Sequence, residues 1–219
     1  MRFRGTMTKA LIFDFWGTLV ENGIYSPIRQ VQDILRLEMP FSEFVVKFES
    51  VFFKDVHPDL ASGFEKVCEA FNVQPRQDVI EQLIGMWNKN KLLARPYPET
   101  MQVLESLRSK YKLGLMSNTD AFSVGQVMDK YALQKHFDVI FLSYQEGLLK
   151  HDAGAFDKVL SQLGVSHGEA VMIGDSIESD MEAAAKAGIM GVLVDRRGKR
   201  TYPKKIFTLN EIEEVLSHA

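Results

Sequence analysis

Four short segments carry the side chains that could do chemistry: Phe13-Asp14-Phe15-Trp16-Gly17-Thr18-Leu19, Leu115-Met116-Ser117-Asn118-Thr119, Glu146-Gly147-Leu148-Leu149-Lys150-His151-Asp152 and Ile173-Gly174-Asp175-Ser176-Ile177-Glu178-Ser179-Asp180. Their reactive groups are carboxylates, a hydroxyl and a lysine. Brought together, such groups can attack an electrophile, hold an oxygen-preferring cation or neutralise an anion. Each taken alone has a plainer reading. A lone Lys150 is a solvated surface lysine, a lone Ser117 is a helix cap, and Asp175 and Asp180 are acids at a helix N-terminus. Only their meeting would make a site.

The elements that could bring them together are short apolar runs. Ala10-Leu11-Ile12-Phe13 ends at Asp14, Leu113-Gly114-Leu115-Met116 at Ser117, and Ala170-Val171-Met172-Ile173 at Gly174-Asp175. Two further runs, Val139-Ile140-Phe141-Leu142 and Gly191-Val192-Leu193-Val194, precede Ser143 and Asp195. A continuous apolar run of this length reads as a strand buried on both faces. Helical stripes lie between most of them, such as Val103, Leu104 and Leu107, or Phe156, Val159, Leu160 and Leu163. The alternation predicts an α/β fold with a doubly wound parallel sheet covered on both faces. Such sheets bind ligands at the carboxyl ends of their strands, so Asp14, Ser117 and Asp175 are expected to share one crevice.

The stretch 22–96 has helical periodicity instead. Ser26-Pro27 opens a helix with Ile28, Val31 and Leu35 on one face. Phe41, Phe44, Val45, Phe48 and Phe52 follow helical spacing. Ser62 and Glu65 fit a capping box ahead of Phe64, Val67, Cys68 and Phe71. Asp78 and Glu81 flank the start of Val79, Ile80, Leu83, Ile84 and Trp87. Four amphipathic helices can pack as a bundle, with the Phe stripes as its core.

In order and spacing, across almost the whole chain, the four segments resemble the haloacid dehalogenase superfamily. The resemblance implies a Rossmann-like core made of residues 7–21 and 97–219. It also implies a helical cap, residues 22–96, inserted between the first and second motifs and closing over the site. Asp14 would be the covalent nucleophile, attacking phosphorus to form an aspartyl-phosphate. A carboxylate beside a dianionic phosphate is repelled unless cations intervene. The resemblance supplies Mg²⁺, held by Asp14, Asp175 and the backbone carbonyl of Trp16 with support from Asp180. Lys150 would place a fixed charge on Asp14 and the phosphoryl oxygens. Ser117 and nearby N–H groups would bind those oxygens, and Asn118 and the Trp16 side chain would line the pocket. Gly17 would make the tight turn after the nucleophile, with Thr18 anchoring it. The implied activity is Mg²⁺-dependent hydrolysis of a small phosphorylated metabolite.

Two departures qualify that expectation. Phosphatases of the superfamily usually carry a second Asp two residues after the nucleophile, which protonates the leaving alcohol and then activates water. Here that position is Trp16, and losing a general acid–base typically costs about 10²- to 10⁴-fold. An aromatic there also resembles the 2-haloacid dehalogenases, which have tyrosine and need no metal. That alternative requires a cationic anchor for a carboxylate, for which Arg29, Arg36 and Arg95 are candidates. A third alternative is a non-enzymatic phosphate-binding regulator. The other departure is Lys150-His151-Asp152-Ala153 in place of a frequent Lys-Pro-Asp-Pro, where His151 reads as filling a loop position. Tyr25, Trp87 and Arg95 are candidate selectivity residues of the cap.

Composition narrows the classes. The chain has 219 residues and 46% hydrophobic content, enough for a core with a large insertion. A net charge of −3 disfavours a nucleic-acid partner. The basic run of Arg196, Arg197, Lys199, Arg200, Lys204 and Lys205 reads as solvated loop. Cys68 is the single cysteine, which excludes an internal disulfide and a cysteine metal site. No apolar run spans a membrane and no signal-peptide pattern opens the chain, so a cytoplasmic location is expected. Met7, directly before the first strand, is a candidate start, with nothing catalytic expected before it. The sequence carries no signal for oligomeric state.

Overall fold

The computed structural model describes residues 7–21 and 25–217. The basic segment 1–6 and the expected opening of the helical stretch at residue 22 lie outside the described residues. The apolar runs form strands: β1 Ala10–Phe13, β2 Lys112–Ser117, β3 Val139–Leu142, β4 Ala170–Gly174 and β5 Met190–Val194. A sixth, β6 Lys205–Ile206, has two residues and was not foreseen. The sheet is parallel throughout, in the order β3-β2-β1-β4-β5-β6. The chain winds outward from β1 through β2 to β3, then returns beside β1 for β4. The direction reverses at β1 and β4, where such a sheet opens its crevice.

Burial explains the unbroken apolar runs. Leu11, Phe13, Leu113 and Leu115 pack to one side with Leu104, Leu107 and Val127. Ala10, Ile12, Met116 and Met172 pack to the other with Phe156, Val159 and Leu163. Alternate side chains thus enter two separate cores, and neither face can be polar.

Between β1 and β2 comes a helix that packs on the sheet, Thr100–Arg108, and before it four others: α1 Pro27–Ile34, α2 Phe41–Phe52, α3 Leu60–Ala70 and α4 Gln77–Leu93. These four form a separate group. They share a third hydrophobic cluster, which also takes in Cys68 and one residue from the sheet-bearing part, Leu149. Its centre is aromatic. Phe52 stacks on Phe64 at 4.7 Å and on Phe48 at 5.2 Å, with the Trp87 ring edge-on at 5.2 Å. The chain leaves and re-enters the sheet-bearing part along paired segments: Glu21 N donates to Arg95 O at 2.8 Å, and Tyr97 N to Leu19 O at 3.1 Å. No helix among the described residues is long and apolar enough to cross a membrane.

The expected cap of α3 is corrected. Its N-cap is Asp59, whose carboxylate accepts from the backbone N and the hydroxyl of Ser62, at 2.7 and 2.8 Å. Ser62 lies inside the helix because an acid three residues earlier takes the donors first. The basic run is corrected as well. Arg196 bridges Glu99 at 2.7 Å, donates to the Thr18 carbonyl at 2.8 Å and lies 3.4 Å over the Tyr97 ring. Capture by a ring and a carboxylate, not solvation, decides its place.

The aromatic cluster makes one prediction. Phe52→Ala should lower stability by about 3–5 kcal/mol, the usual cost of truncating a buried aromatic. Urea unfolding measures it, and a loss under about 1 kcal/mol would deny Phe52 its central place.

Candidate active site

Strand register builds the site. Phe13 pairs with Ile173 on one side and Leu115 on the other, so the three strands end nearly level, within two residues of one another. Asp14 follows β1, and its backbone N–H donates to Ile173 O at 2.9 Å. The chain then turns sharply: the N–H groups of Leu19 and Val20 both reach Phe15 O at 3.0 Å. Gly17 adopts φ 78° within this turn. A Cβ there would overlap the Asp175 carboxyl, so the position needs glycine twice over. Gly174 has a similar reason: a Cβ would fall on the Asp180 side chain.

Lys150 is the junction. It is buried, and its Nζ donates to Asp14 Oδ1 at 2.5 Å and to Asp180 Oδ1 at 2.6 Å. Asp14 Oδ2 accepts from Thr18 Oγ1 at 3.1 Å. Asp180 Oδ2 accepts from Ser176 N at 2.9 Å, within a π-helical turn, Ile177–Met181, that follows β4. Oxygens of Asp14, Asp175 and Asp180 all lie within 4.8 Å of one another. Negative charge is in excess here, and the acidities record it. Burial, Asp180's charge adding to it, pushes Asp14 up to about 6 against the pull of Lys150. Burial together with Asp14 and Asp180 pushes Asp175 up to about 8. For Lys150, burial works against the charged form, but its two carboxylates outweigh it and raise the ammonium above its ordinary range. A set of hard oxygen donors crowded in this way suits a divalent cation such as Mg²⁺.

Beside the acids is the end of β2. Ser117 Oγ is fully buried there and has no hydrogen-bond partner among the described residues, where buried hydroxyls normally have one. Asn118 Oδ1 accepts from the Lys150 backbone N at 3.0 Å. Trp16 is half-buried. Its indole N–H donates to Thr119 Oγ1 at 3.0 Å and its ring meets Phe15 edge-on.

Asp14, Trp16, Asn118, Lys150, Asp175 and Asp180 line a cavity of about 610 Å³ roofed by helices, and Ser117 and Thr18 are not among its lining residues. Of the candidate selectivity residues, Tyr25 and Trp87 line it. Of the candidate anchors, only Arg29 does. Arg95 instead pairs with Glu21 at 2.9 Å on the surface. His151 is not a lining residue, and its ring lies 3.9 Å from Asp152. Arg196, Arg197, Lys199 and Arg200 are lining residues, which the reading of a solvated loop missed.

The larger omission is Glu49. It belongs to α2, is 5% exposed, and accepts from Asn118 Nδ2 at 2.8 Å and from Ser179 Oγ at 3.0 Å. Burial pushes its carboxyl up to about 7, with Asn118, Lys150 and Ser179 opposing the rise. A signal was present. Glu49 stands four residues after Val45 and three before Phe52, on the stripe that periodicity assigns to the core. A charge on a buried stripe marks a function or a partner.

Known proteins resemble this chain in sequence and fold. A glyceraldehyde 3-phosphate phosphatase of Methanopyrus kandleri is 24% identical over 202 residues, 88% of this chain and 86% of that one. The namesake from Methanothermobacter thermautotrophicus is 29% identical, but the match spans only about half of each protein, 52% and 50%. The crystal structure of a HAD phosphatase from Thermococcus onnurineus superposes with a TM-score of 0.62 at 27% identity, covering 95% of this chain and 98% of that one. The family model for haloacid dehalogenase-like hydrolases matches residues 8–188, from before β1 to the glycine that follows the alanine-rich helix after β4. The chain belongs to the haloacid dehalogenase-like hydrolases.

Proposed function

We propose that the protein is a Mg²⁺-dependent phosphatase of small phosphorylated metabolites that works through an aspartyl-phosphate on Asp14. The observation that carries this is the cluster of Asp14, Asp175 and Asp180 around one buried lysine. Its relatives with phosphatase names support the substrate class. Asp14, Asp175 and Asp180, with the Trp16 carbonyl, would hold the ion. When bound, Mg²⁺ supplies the charge that lets an anionic carboxylate approach an anionic phosphoryl group.

The protein's own groups do the rest. Asp14 gives an electron pair to phosphorus, and the bond from phosphorus to the leaving oxygen breaks. Lys150 keeps Asp14 ionised and aligned, and Thr18 fixes its second oxygen. The Ser117 hydroxyl donates to a phosphoryl oxygen, and Asn118 positions the backbone of Lys150. Residues 22–96 act as a cap, with α2 shielding the crevice from water. Trp16 and Arg29 favour a second reading, dehalogenation of a 2-haloacid without metal. The crowded acids weigh against it, since a metal-free site has no use for three.

Asp14→Asn should abolish turnover of any phosphate ester while leaving thermal stability near wild type, because an amide is a poor nucleophile and a poor Mg²⁺ ligand. Persistent turnover with deamidation excluded, or full activity on a 2-haloacid in chelator, would sink the proposal. Calorimetry should find one Mg²⁺ per chain, lost in Asp175→Ala. Protons compete for carboxyls held near 6 and 8, so affinity should fall about tenfold per pH unit from pH 8 to 6. An affinity flat with pH would mean that the ion sits elsewhere. Ser117→Ala should be neutral or stabilising, because it removes an unsatisfied buried hydroxyl. It should also raise KM for phosphate esters about ten- to hundredfold, the worth of a hydrogen bond to a charged group. A loss of stability with unchanged KM would make Ser117 structural.

A further inference from the structure

Trp16 leaves this site without a carboxyl at the position that resemblance assigns to proton transfer. Its indole N–H, the one polar hydrogen it could offer, is engaged by Thr119. His151, the nearest titratable alternative in sequence, is not a lining residue of the cavity. Three other buried carboxyls line it, Asp120, Asp195 and Glu49, and Asp195 is kept ionised by the Lys199 and Arg200 backbone N–H groups and the Lys205 ammonium. Asp120 accepts from the Phe122 backbone N at 2.8 Å and from Trp87 Nε1 at 3.2 Å. Its acidity is set by burial and by Phe122, Ser123 and Trp87, none of which belongs to the cluster of acids around Lys150.

Glu49 differs in its partners. One oxygen accepts from the Asn118 amide, and the Ser179 hydroxyl lies 3.0 Å from both oxygens. A hydroxyl can turn from donor to acceptor, so Ser179 can serve the carboxyl in both its protonated and its ionised form. The two partners also place it. Asn118 follows Ser117 and holds the backbone of Lys150, while Ser179 directly precedes Asp180. The carboxyl therefore sits between the end of β2 and the acidic turn after β4. The charged groups that act on it are Lys150, favouring the ionised form, and Asp180, opposing it.

We propose that Glu49, carried by α2, is the acid–base group of this active site. The proposal rests on the aspartyl-phosphate reading above. In the first step the bond from phosphorus to the leaving oxygen breaks as the Asp14–phosphorus bond forms, and the Glu49 carboxyl gives its proton to the departing oxygen. The products are an alcohol, an aspartyl-phosphate and ionised Glu49. In the second step water attacks phosphorus and its proton passes to Glu49. The Asp14–phosphorus bond breaks, phosphate leaves, and ionised Asp14 and protonated Glu49 are restored. Burial holds the carboxyl near 7, where both forms are populated at neutral pH.

The plainer role for Glu49 is a latch that docks α2 on Asn118 and Ser179. Leaving groups separate the two. Wild type, Glu49→Gln and Asp14→Asn are compared on p-nitrophenyl phosphate and glycerol 3-phosphate at saturating Mg²⁺, with the release of nitrophenolate followed before the steady state. Glutamine keeps the shape and the hydrogen bonds of Glu49 but cannot carry the proton. Glu49→Gln should lose about 10²- to 10⁴-fold on glycerol 3-phosphate, whose alkoxide needs protonation. On p-nitrophenyl phosphate it should keep a burst of one equivalent near the wild-type rate, then turn over slowly as aspartyl-phosphate accumulates. Glu49→Asp should restore part of the alkyl activity, and the pair of aspartate and alanine variants gives the same comparison if glutamine does not fold. Equal losses on both substrates without a burst, or no loss on either, would overturn the proposal. Asp14→Asn separates this from failure of the underlying reading: no burst in that variant keeps the aspartyl-phosphate, whatever Glu49 does, and a burst in it removes both.

Discussion

The ammonium of Lys150, clasped between Asp14 and Asp180, is the interaction on which the rest depends. Three parts of the chain must end at one point to make it: the tip of β1, the segment after β3 and the turn after β4. Only nearly level strand ends in a parallel sheet bring them there, and register provides that. The glycines follow from the same demand, since a side chain at Gly174 would displace Asp180 and one at Gly17 would displace Asp175. Leu149, anchored in the aromatic cluster of the helices, fixes the lysine from the other direction. Burial first, and then the mutual repulsion of three carboxylates that Lys150 and the more distant Arg200 do not fully offset, make Asp14 and Asp175 hold protons more tightly than ordinary aspartates. On the proposed reading a divalent cation would relieve that repulsion and open the site to an anionic substrate.

On the proposed reading the helices have a part in chemistry as well as in coverage. Phe48 and Phe52 on either side of Glu49 lock α2 into the aromatic cluster, so the carboxyl has little freedom of its own. Its polar partners all belong to the sheet-bearing part. Docked, Glu49 is out of water and holds its proton near neutrality. Undocked, it would return to water and to the ordinary carboxylate range, ionised and unable to donate. On the proposed reading the proton donor exists only while the cavity is closed, which ties proton transfer to exclusion of water without any separate switch.

Much of this was legible in the sequence. Strands buried on both faces announce themselves as unbroken apolar runs, and polar residues at their ends announce the crevice. Asp14, Ser117 and Asp175 were found in this way, Lys150 and Asp180 through the resemblance of the four segments, and Asp14, Lys150, Asp175 and Asp180 do come together. What stayed hidden depended on docking. Helical periodicity gives the buried stripe of α2 but not what the stripe faces, so Glu49 was passed over. Arg196 looked like one more charge in a basic run because Tyr97 and Glu99, which capture it, stand about a hundred residues earlier. At α3, Ser62 and Glu65 imitate a capping box, and only backbone geometry shows that Asp59 takes the donors. Strand β6, with two residues, is too short to leave a pattern.

Trp16 can now be understood as part of an arrangement instead of a missing part. An aspartate at that position would add a fourth carboxylate to a cluster already short of positive charge, and each added anion raises the cost of ionising Asp14. The indole adds no charge. It fills the turn against Phe15 and ties it to Thr119, beside the end of β2. If the proton-transfer group sits on α2, the acids that must stay ionised for the metal and the one that must be half-protonated for catalysis are carried by different parts of the chain. Each can then have its acidity set by its own surroundings: Asp14 by Lys150 and the ion, Glu49 by burial between a hydroxyl and an amide. That separation lets one crevice hold a strong nucleophile and a weak acid side by side, which adjacent carboxyls on a single loop achieve only by opposing one another.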